Sequence, residues 1–307
     1  MARGVSHCLS PRKTSTRLRE KTNSERAVVV PTTPQPRSKT APGTPAISIV
    51  IPTRAQRAAD GSASVVVACV TSIVKQSTYR DFEIIVVHDA GAEPDVLAAL
   101  KKIAGASLSL VRFDGPFNFS RKMNHGVIQA RGNFILSMND DVEIISPDWI
   151  EQLRETIEPA DVAMVGAMLY FANGTIQHAG HAHVGGLPTH IGIGEPRGSA
   201  GPDGDYLDVR ERVGVTAACA LIRRDAFERV GGFCELLPGN YNDVDLSLKL
   251  RSLGYRILWT PRAELYHFES VSRSPEISGY ELNFLHDRWG STLDVIDVSN
   301  AVVESRR

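Results

Sequence analysis

From Ile47 to Met138 the chain alternates short apolar runs with stretches of helical period, and this alternation restricts the fold more than any other feature. Residues 47–51, 82–87, 108–113 and 134–138 read as strands, and 64–75, 95–103 and 120–130 as helices. A helix between successive strands is the crossover that parallel pairing requires. The expected fold is therefore α/β, a doubly wound, mostly parallel sheet covered by helices on both faces. Three of the four strands run into polar residues: Thr53-Arg54, His88-Asp89 and Asn139-Asp140-Asp141. Open α/β sheets bind ligands at these carboxyl ends. Burying two unpaired carboxylates would be costly. Two acids with oxygen ligands and no cysteine nearby suit a hard cation, Mg²⁺ or Mn²⁺, escorting a phosphate. The plainer alternative is an acid pair that merely closes a strand.

Beyond this half the alternation loosens. Residues 147–153 begin a helix, with Ser146 as its expected N-cap and Pro147 at its first position. Residues 162–168 are apolar, while 174–212 are rich in Gly and His and read as loops and short strands. A stretch that long in a compact domain is usually functional. A buried strand is expected over 213–222, a short helix over 225–230 closed by Gly231-Gly232, and a helix capped by Asn242 running to Leu253. Residues 256–259 and 263–266 read as short strands.

Composition sets the remaining bounds. A chain of 307 residues with formal net charge −1 has ample core material and no general affinity for nucleic acid. Residues 1–45 hold nine Lys/Arg against Glu20 and Glu25, are rich in Ser, Thr and Pro, and read as a disordered basic tail. A transit peptide or a weak peripheral contact with anionic lipid are its other readings. Cys8, Cys69, Cys219 and Cys234 show no paired or metal-ligand spacing, no run approaches a membrane span, and the start lacks a secretory apolar run. The expected location is cytoplasmic, with the inner membrane face as the peripheral option.

Several segments, in order, resemble the inverting GT-A glycosyltransferases of family 2, especially the bacterial rhamnosyltransferase-like branch. They are Ser48-Ile-Val-Ile-Pro-Thr-Arg54, Phe117-Asn-Phe-Ser120 with Asn124-His-Gly126, Asn139-Asp-Asp141 and Gly174-Thr-Ile-Gln-His-Ala-Gly180. Val230-Gly-Gly-Phe233, Tyr241-Asn-Asp-Val-Asp-Leu246 and Tyr266-His-Phe-Glu-Ser-Val-Ser-Arg273 follow, and Arg288-Trp289 ends the match. The resemblance implies a GT-A domain over 46–290. Its nucleotide-sugar-binding half would be 46–145 and its acceptor-binding, catalytic half 146–290, leaving 291–307 as a tail. It also implies a nucleotide-sugar donor (UDP- or dTDP-linked), a divalent cation, a glycan or lipid-linked acceptor, and transfer with inversion. Carried over by position, Thr53, Arg54, Asp89 and Asn124 would serve the nucleotide sugar, and Asp140 would lie nearer the ribose. Asp141 and His267 would hold the metal, and Asp243 would be the catalytic base. The chain departs from the family in having His88-Asp89 where Asp-Asn or Asp-Asp is usual, and Asn242-Asp243 where Glu-Asp is common.

Other candidates are weighed on the residues themselves. Asp243 and Asp245 stand two apart at a helix start, so they point about 200° from each other and only one can face a cleft. Asp245 is the one expected to serve the helix dipole and stability. His178, His181, His183 and His190 lack structural zinc spacing, so acceptor recognition or loop polarity is favoured over zinc. Arg121 and Lys122, just after a helix start, are open between phosphate contact and solvation. Two other functions compete. A sugar-phosphate nucleotidylyltransferase would want a Gly-rich loop after the first strand, and Pro52-Thr-Arg-Ala-Gln56 is not one. Against a non-catalytic nucleotide- or glycan-binding module stands the presence of both Asp141 and Asp243.

Overall fold

Isoleucines 47, 49 and 51 and valine 50 of the first strand all have no exposed surface, because the strand lies mid-sheet with helices on both sides. The computed structural model describes residues 46–57, 64–268 and 279–296. The expected basic tail (1–45), residues 269–273 of the last motif and residues 297–307 lie outside them. The first half runs β1 (Ile47–Thr53), α1 (Val65–Gln76), β2 (Phe82–Asp89), α2 (Pro94–Ala104), β3 (Leu108–Phe113), α3 (Phe119–Gln129) and β4 (Phe134–Met138). The second runs β5 (Val142–Ile144), α4 (Trp149–Thr156), β6 (Val162–Tyr170), β7 (Ile176–His178), β8 (His181–Val184), β9 (Leu187–His190), β10 (Arg210–Glu211) and β11 (Cys219–Arg223). It ends with α5 (Arg224–Arg229), α6 (Asn242–Ser252), β12 (Arg256–His267) and α7 (Gly279–Ile296).

The main sheet has the order β10-β12-β6-β11-β4-β1-β2-β3, with β5 added on β12 and β7 on β6. β4, β1, β2 and β3 are parallel, in the register Ile49↔Ile84 and Ile49↔Leu136. β11 is antiparallel to both β4 and β6 and joins that half to the parallel pair β6–β12. The strand period of two sorts side chains to the two faces. Ile49, Ile51, Ile84, Val86 and Leu136 meet α1, α2 and α4 on one side; Val50, Ile85, Val87 and Ile135 meet α3, α5 and α6 on the other. At Gly126 a Cβ would lie 2.5 Å from Val50 and 2.8 Å from Val87, so its absence lets α3 rest on the sheet and brings Lys122 to the strand ends.

Several expectations are corrected. Only residues 219–222 of the expected 213–222 strand pair in the sheet, as part of β11 (Cys219–Arg223), and the two short strands near 256–266 are one strand with an irregularity between Trp259 and Glu264. The N-cap of α6 is Tyr241 rather than Asn242, and that of α4 is Asp148 rather than Ser146. Residues 291–296 are not tail: they complete α7, whose Leu285 and Leu293 pack on Val244 and Leu248 of α6. Leu253, just past the end of α6, is 39% exposed. Among the described residues no helix is long and apolar enough to cross a membrane.

Candidate active site

The carboxyl ends of β1, β2 and β4, the end of β12 and the first turn of α6 converge on one cleft of about 770 Å³. Thr53, Arg54, Asp89, Asp140, Asp141, His267 and Asp243 all line it. The end of the cleft at β1 and β2 is organised by Lys122. Its side chain is buried; Nζ donates to the Thr53 carbonyl at 2.6 Å and pairs with Asp89 at 2.5 Å. Burial lowers the lysine's pKa and the Asp89 carboxylate opposes that shift. Lys122 is therefore a tie between the ends of β1 and β2, while Arg121 stays half-exposed near Glu235. Asp140, also buried, bonds the Thr53 side chain; burial, with neighbouring Asp141 second, pushes its carboxyl up to about 6. Asp89 rather than His88 is the acid that faces the cleft.

Asp141 and His267 come together at the cleft wall. Gln177 Oε1 lies 2.7 Å from His267 Nδ1, which makes Nδ1 the protonated nitrogen and leaves Nε2 as a lone pair. Nε2 stands 3.2 Å from Asp141 Oδ1, an oxygen buried with no hydrogen-bond donor on it. The Asn139 side-chain amide also donates to Nε2, at 3.0 Å. An orphaned carboxylate oxygen beside an imidazole lone pair suits a divalent cation of Mn²⁺ or Mg²⁺ type. The residues present fit the implied metal.

Asp243 comes from a different element. Tyr241 adopts φ +57°, unusual for an aromatic residue, and turns the chain so that α6 opens with Asn242 and Asp243 on the cleft. The Ala217 N–H donates to Asp243 Oδ2 at 3.2 Å and the Val244 N–H to Oδ1 at 2.9 Å; the side chain keeps 18% exposure. Asp245 points into the protein, fully buried. Oδ1 accepts from the Trp289 indole at 2.9 Å and meets Arg288 at 3.1 Å, while Oδ2 meets Lys249 at 3.3 Å. Asn124 is not brought to the cleft. Its amide accepts from the Phe233 N–H and donates to the Phe233 carbonyl, holding the Gly231-Gly232 turn.

The histidines do assemble: candidate ligand nitrogens of His178, His181 and His190 lie within 4.8 Å of one another. The Thr216 N–H donates to His178 Nε2 at 3.1 Å, so the neutral ring carries its proton on Nδ1, which donates to His190 Nδ1 at 2.8 Å. Burial, then the neighbouring imidazoles, hold His178 far below the usual histidine range. Spent in this way, its nitrogens form a hydrogen-bonded link rather than a ligand set. Gln177 is the functional candidate that sequence reasoning missed; it sits in the Gly174–Gly180 motif, which was the available signal.

Residues 48–231 match the family described as Glycosyl transferase family 2. The chain is 39% identical over 262 residues to the "Uncharacterized protein y4gI" of Sinorhizobium fredii, covering 80% of this chain and 28% of that one. It is 33% identical over 234 residues to the "O-antigen biosynthesis protein RfbC" of Myxococcus xanthus, covering 75% and 18% respectively. The chain thus spans less than a third of these curated relatives. Among solved structures, GalNAc-T7 with UDP, GalNAc and Mn²⁺ aligns with TM-score 0.61 at 14% identity, covering 81% of this chain and 49% of that one.

Proposed function

Because the chain belongs to glycosyl transferase family 2, we propose that it is an inverting, metal-dependent glycosyltransferase. It moves a sugar from a UDP- or dTDP-linked donor to a hydroxyl of a glycan or lipid-linked acceptor in cell-surface polysaccharide synthesis. The observation that carries this reading is the pairing of Asp141 with His267 and the placing of Asp243 in the same cleft on a separate element. The O-antigen role in the name of the Myxococcus relative and the UDP and Mn²⁺ bound by the GalNAc-T7 neighbour support it.

Thr53, Arg54, Asp89 and Asp140 take the nucleoside end of the donor, with Lys122 holding the two strand ends in place. Asp141 and His267 would hold the cation, which supplies neutralisation of the charge developing on the departing diphosphate. Gln177 keeps the His267 lone pair turned toward Asp141. The acceptor hydroxyl attacks the anomeric carbon from the face opposite the diphosphate. Its O–H proton passes to Asp243, the new C–O bond forms, and the electron pair of the old bond leaves on the diphosphate. Two backbone N–H groups hold the Asp243 carboxylate in place at the first turn of α6, facing the cleft.

Calorimetry with UDP, dTDP and GDP, with and without Mn²⁺, tests this. Wild type should bind UDP or dTDP only with the metal, and Asp141→Ala should lose that binding while staying folded. Binding in Asp141→Ala with wild-type metal dependence, or no nucleotide binding in wild type, refutes the reading.

A further inference from the structure

His181 lines the same cleft as Asp243, Asp141 and His267, and its partner there is Asp243. Its Nε2 lies 3.9 Å from Asp243 Oδ2, and the ring is 4% exposed. Its Nδ1 is buried without a hydrogen-bond partner, and so is Ser247 Oγ. These two orphans meet at Gly214. A Cβ there would sit 3.1 Å from His181 Nδ1 and 2.7 Å from Ser247 Oγ, so a glycine is what lets both atoms approach one spot. Ser247 lies one helical turn beyond Asp243 on α6, on the same helix face. Two buried polar atoms left unpaired are costly, and each is the complement the other lacks, a hydroxyl donor and an imidazole lone pair.

We propose that Ser247, His181 and Asp243 form a positioning relay: Ser247 Oγ–H donates to His181 Nδ1, directly or through one water, which fixes the Nε2–H tautomer, and Nε2–H closes on Asp243 Oδ2 when acceptor binds. The relay rests on the reading of Asp243 as the base. In this relay His181 acts through the Asp243 carboxylate and is therefore a positioning residue. Its ring is held between His178 and His190, edge to face at 5.1 and 5.3 Å, and the His178–His190 hydrogen bond keeps that packing in one arrangement. The charged and titratable groups around it are Asp243 from α6, His178 and His190 from β7 and β9, His183 on its own strand, and Arg212 behind His178. Burial outweighs Asp243 and lowers the His181 pKa to about 4, so the ring meets the carboxylate as a neutral donor at pH 7. A donor aimed at an ionised carboxylate favours the ionised form.

The direct test needs no activity. In full-length chain labelled with ¹⁵N-histidine, the His181 signals, assigned by their loss in His181→Gln, should show a protonated Nε2 and a bare Nδ1 at pH 7. A protonated Nδ1 overturns the proposal. The second test is kinetic, using Mn²⁺-dependent hydrolysis of whichever UDP- or dTDP-hexose the chain turns over. His181→Phe should lower kcat roughly ten- to a hundredfold and move the acid limb of kcat/KM upward by about one unit, with nucleotide affinity retained. His181→Gln, which keeps a donor, should recover most of both. In an Asp243→Asn background His181→Phe should add nothing. An unmoved acid limb, no recovery in Gln, or an equal loss in the Asp243→Asn background overturns the relay. If Asp243→Asn alone turns over normally, the base assignment fails and the relay with it, whatever the tautomer.

Discussion

Asp245→Asn should cost stability and leave the chemistry intact. The carboxylate has no exposed surface and is shared by three groups: the Trp289 indole N–H at 2.9 Å, Arg288 at 3.1 Å and Lys249 at 3.3 Å. Removing one partner of a buried ion pair leaves the other uncompensated, at about 3–5 kcal/mol. Three features put Asn near the low end. Its amide oxygen still accepts from Trp289, Arg288 is 38% exposed and can turn to water, and Lys249 Nζ also donates to the Gly232 carbonyl. Ala forfeits the indole bond as well, about 1–3 kcal/mol more. With a urea slope of roughly 2–3 kcal/mol/M, a loss of about 3 kcal/mol moves the midpoint down by about 1–1.5 M at unchanged slope. Urea unfolding followed by tryptophan fluorescence reads this directly. A shift below roughly 0.3 M, or a loss of nucleotide binding in protein that remains folded, refutes the assignment of Asp245 to holding α7 on α6.

Lys122→Met keeps the apolar stem and removes the tie between Thr53 and Asp89. Melting should show a loss of about 1–3 kcal/mol, and calorimetry a weaker nucleoside diphosphate; wild-type values for both would make the lysine a bystander. Acid should destabilise the fold through His178 and His181, which stay neutral in the folded protein. In the unfolded chain they take up protons near the ordinary histidine value of about 6.5. Stability they contribute at neutral pH is therefore lost as pH falls from about 6.5 toward 4. Asp140, pushed up to about 6, acts in the opposite sense, gaining stability over part of the same range. Urea midpoints from pH 7 to 4.5 should fall, and fall less in His181→Phe; an equal fall in that variant removes His181 from the account.

The first half of the domain was legible because its signals are local. The apolar period of β1 to β4 and of the intervening helices follows from neighbours in sequence, and so does the polar close of each strand. What sequence could not give lies in distant pairings. Lys122 is a buried tie only because Thr53 and Asp89 meet it across a fold, 69 positions from Thr53. Asn124, expected at the nucleotide sugar, is instead engaged by Phe233, 109 positions away. The run 213–222 is apolar enough for a strand, yet its first part stays out of the sheet. There the Thr216 and Ala217 N–H groups serve His178 and Asp243 instead of a ladder. Asp243 and Asp245 separated as the helical period requires, but the burial of Asp245 depends on its pairing with Trp289 of α7, 44 positions away.

The most direct measurement is single turnover of Asp243→Asn with nucleotide affinity measured on the same protein. The account predicts a fall in the chemical rate of about 10²–10⁴-fold, with Mn²⁺-dependent nucleotide binding and the urea midpoint close to wild type. A near-normal rate, or a loss explained by failed nucleotide binding, would contradict it.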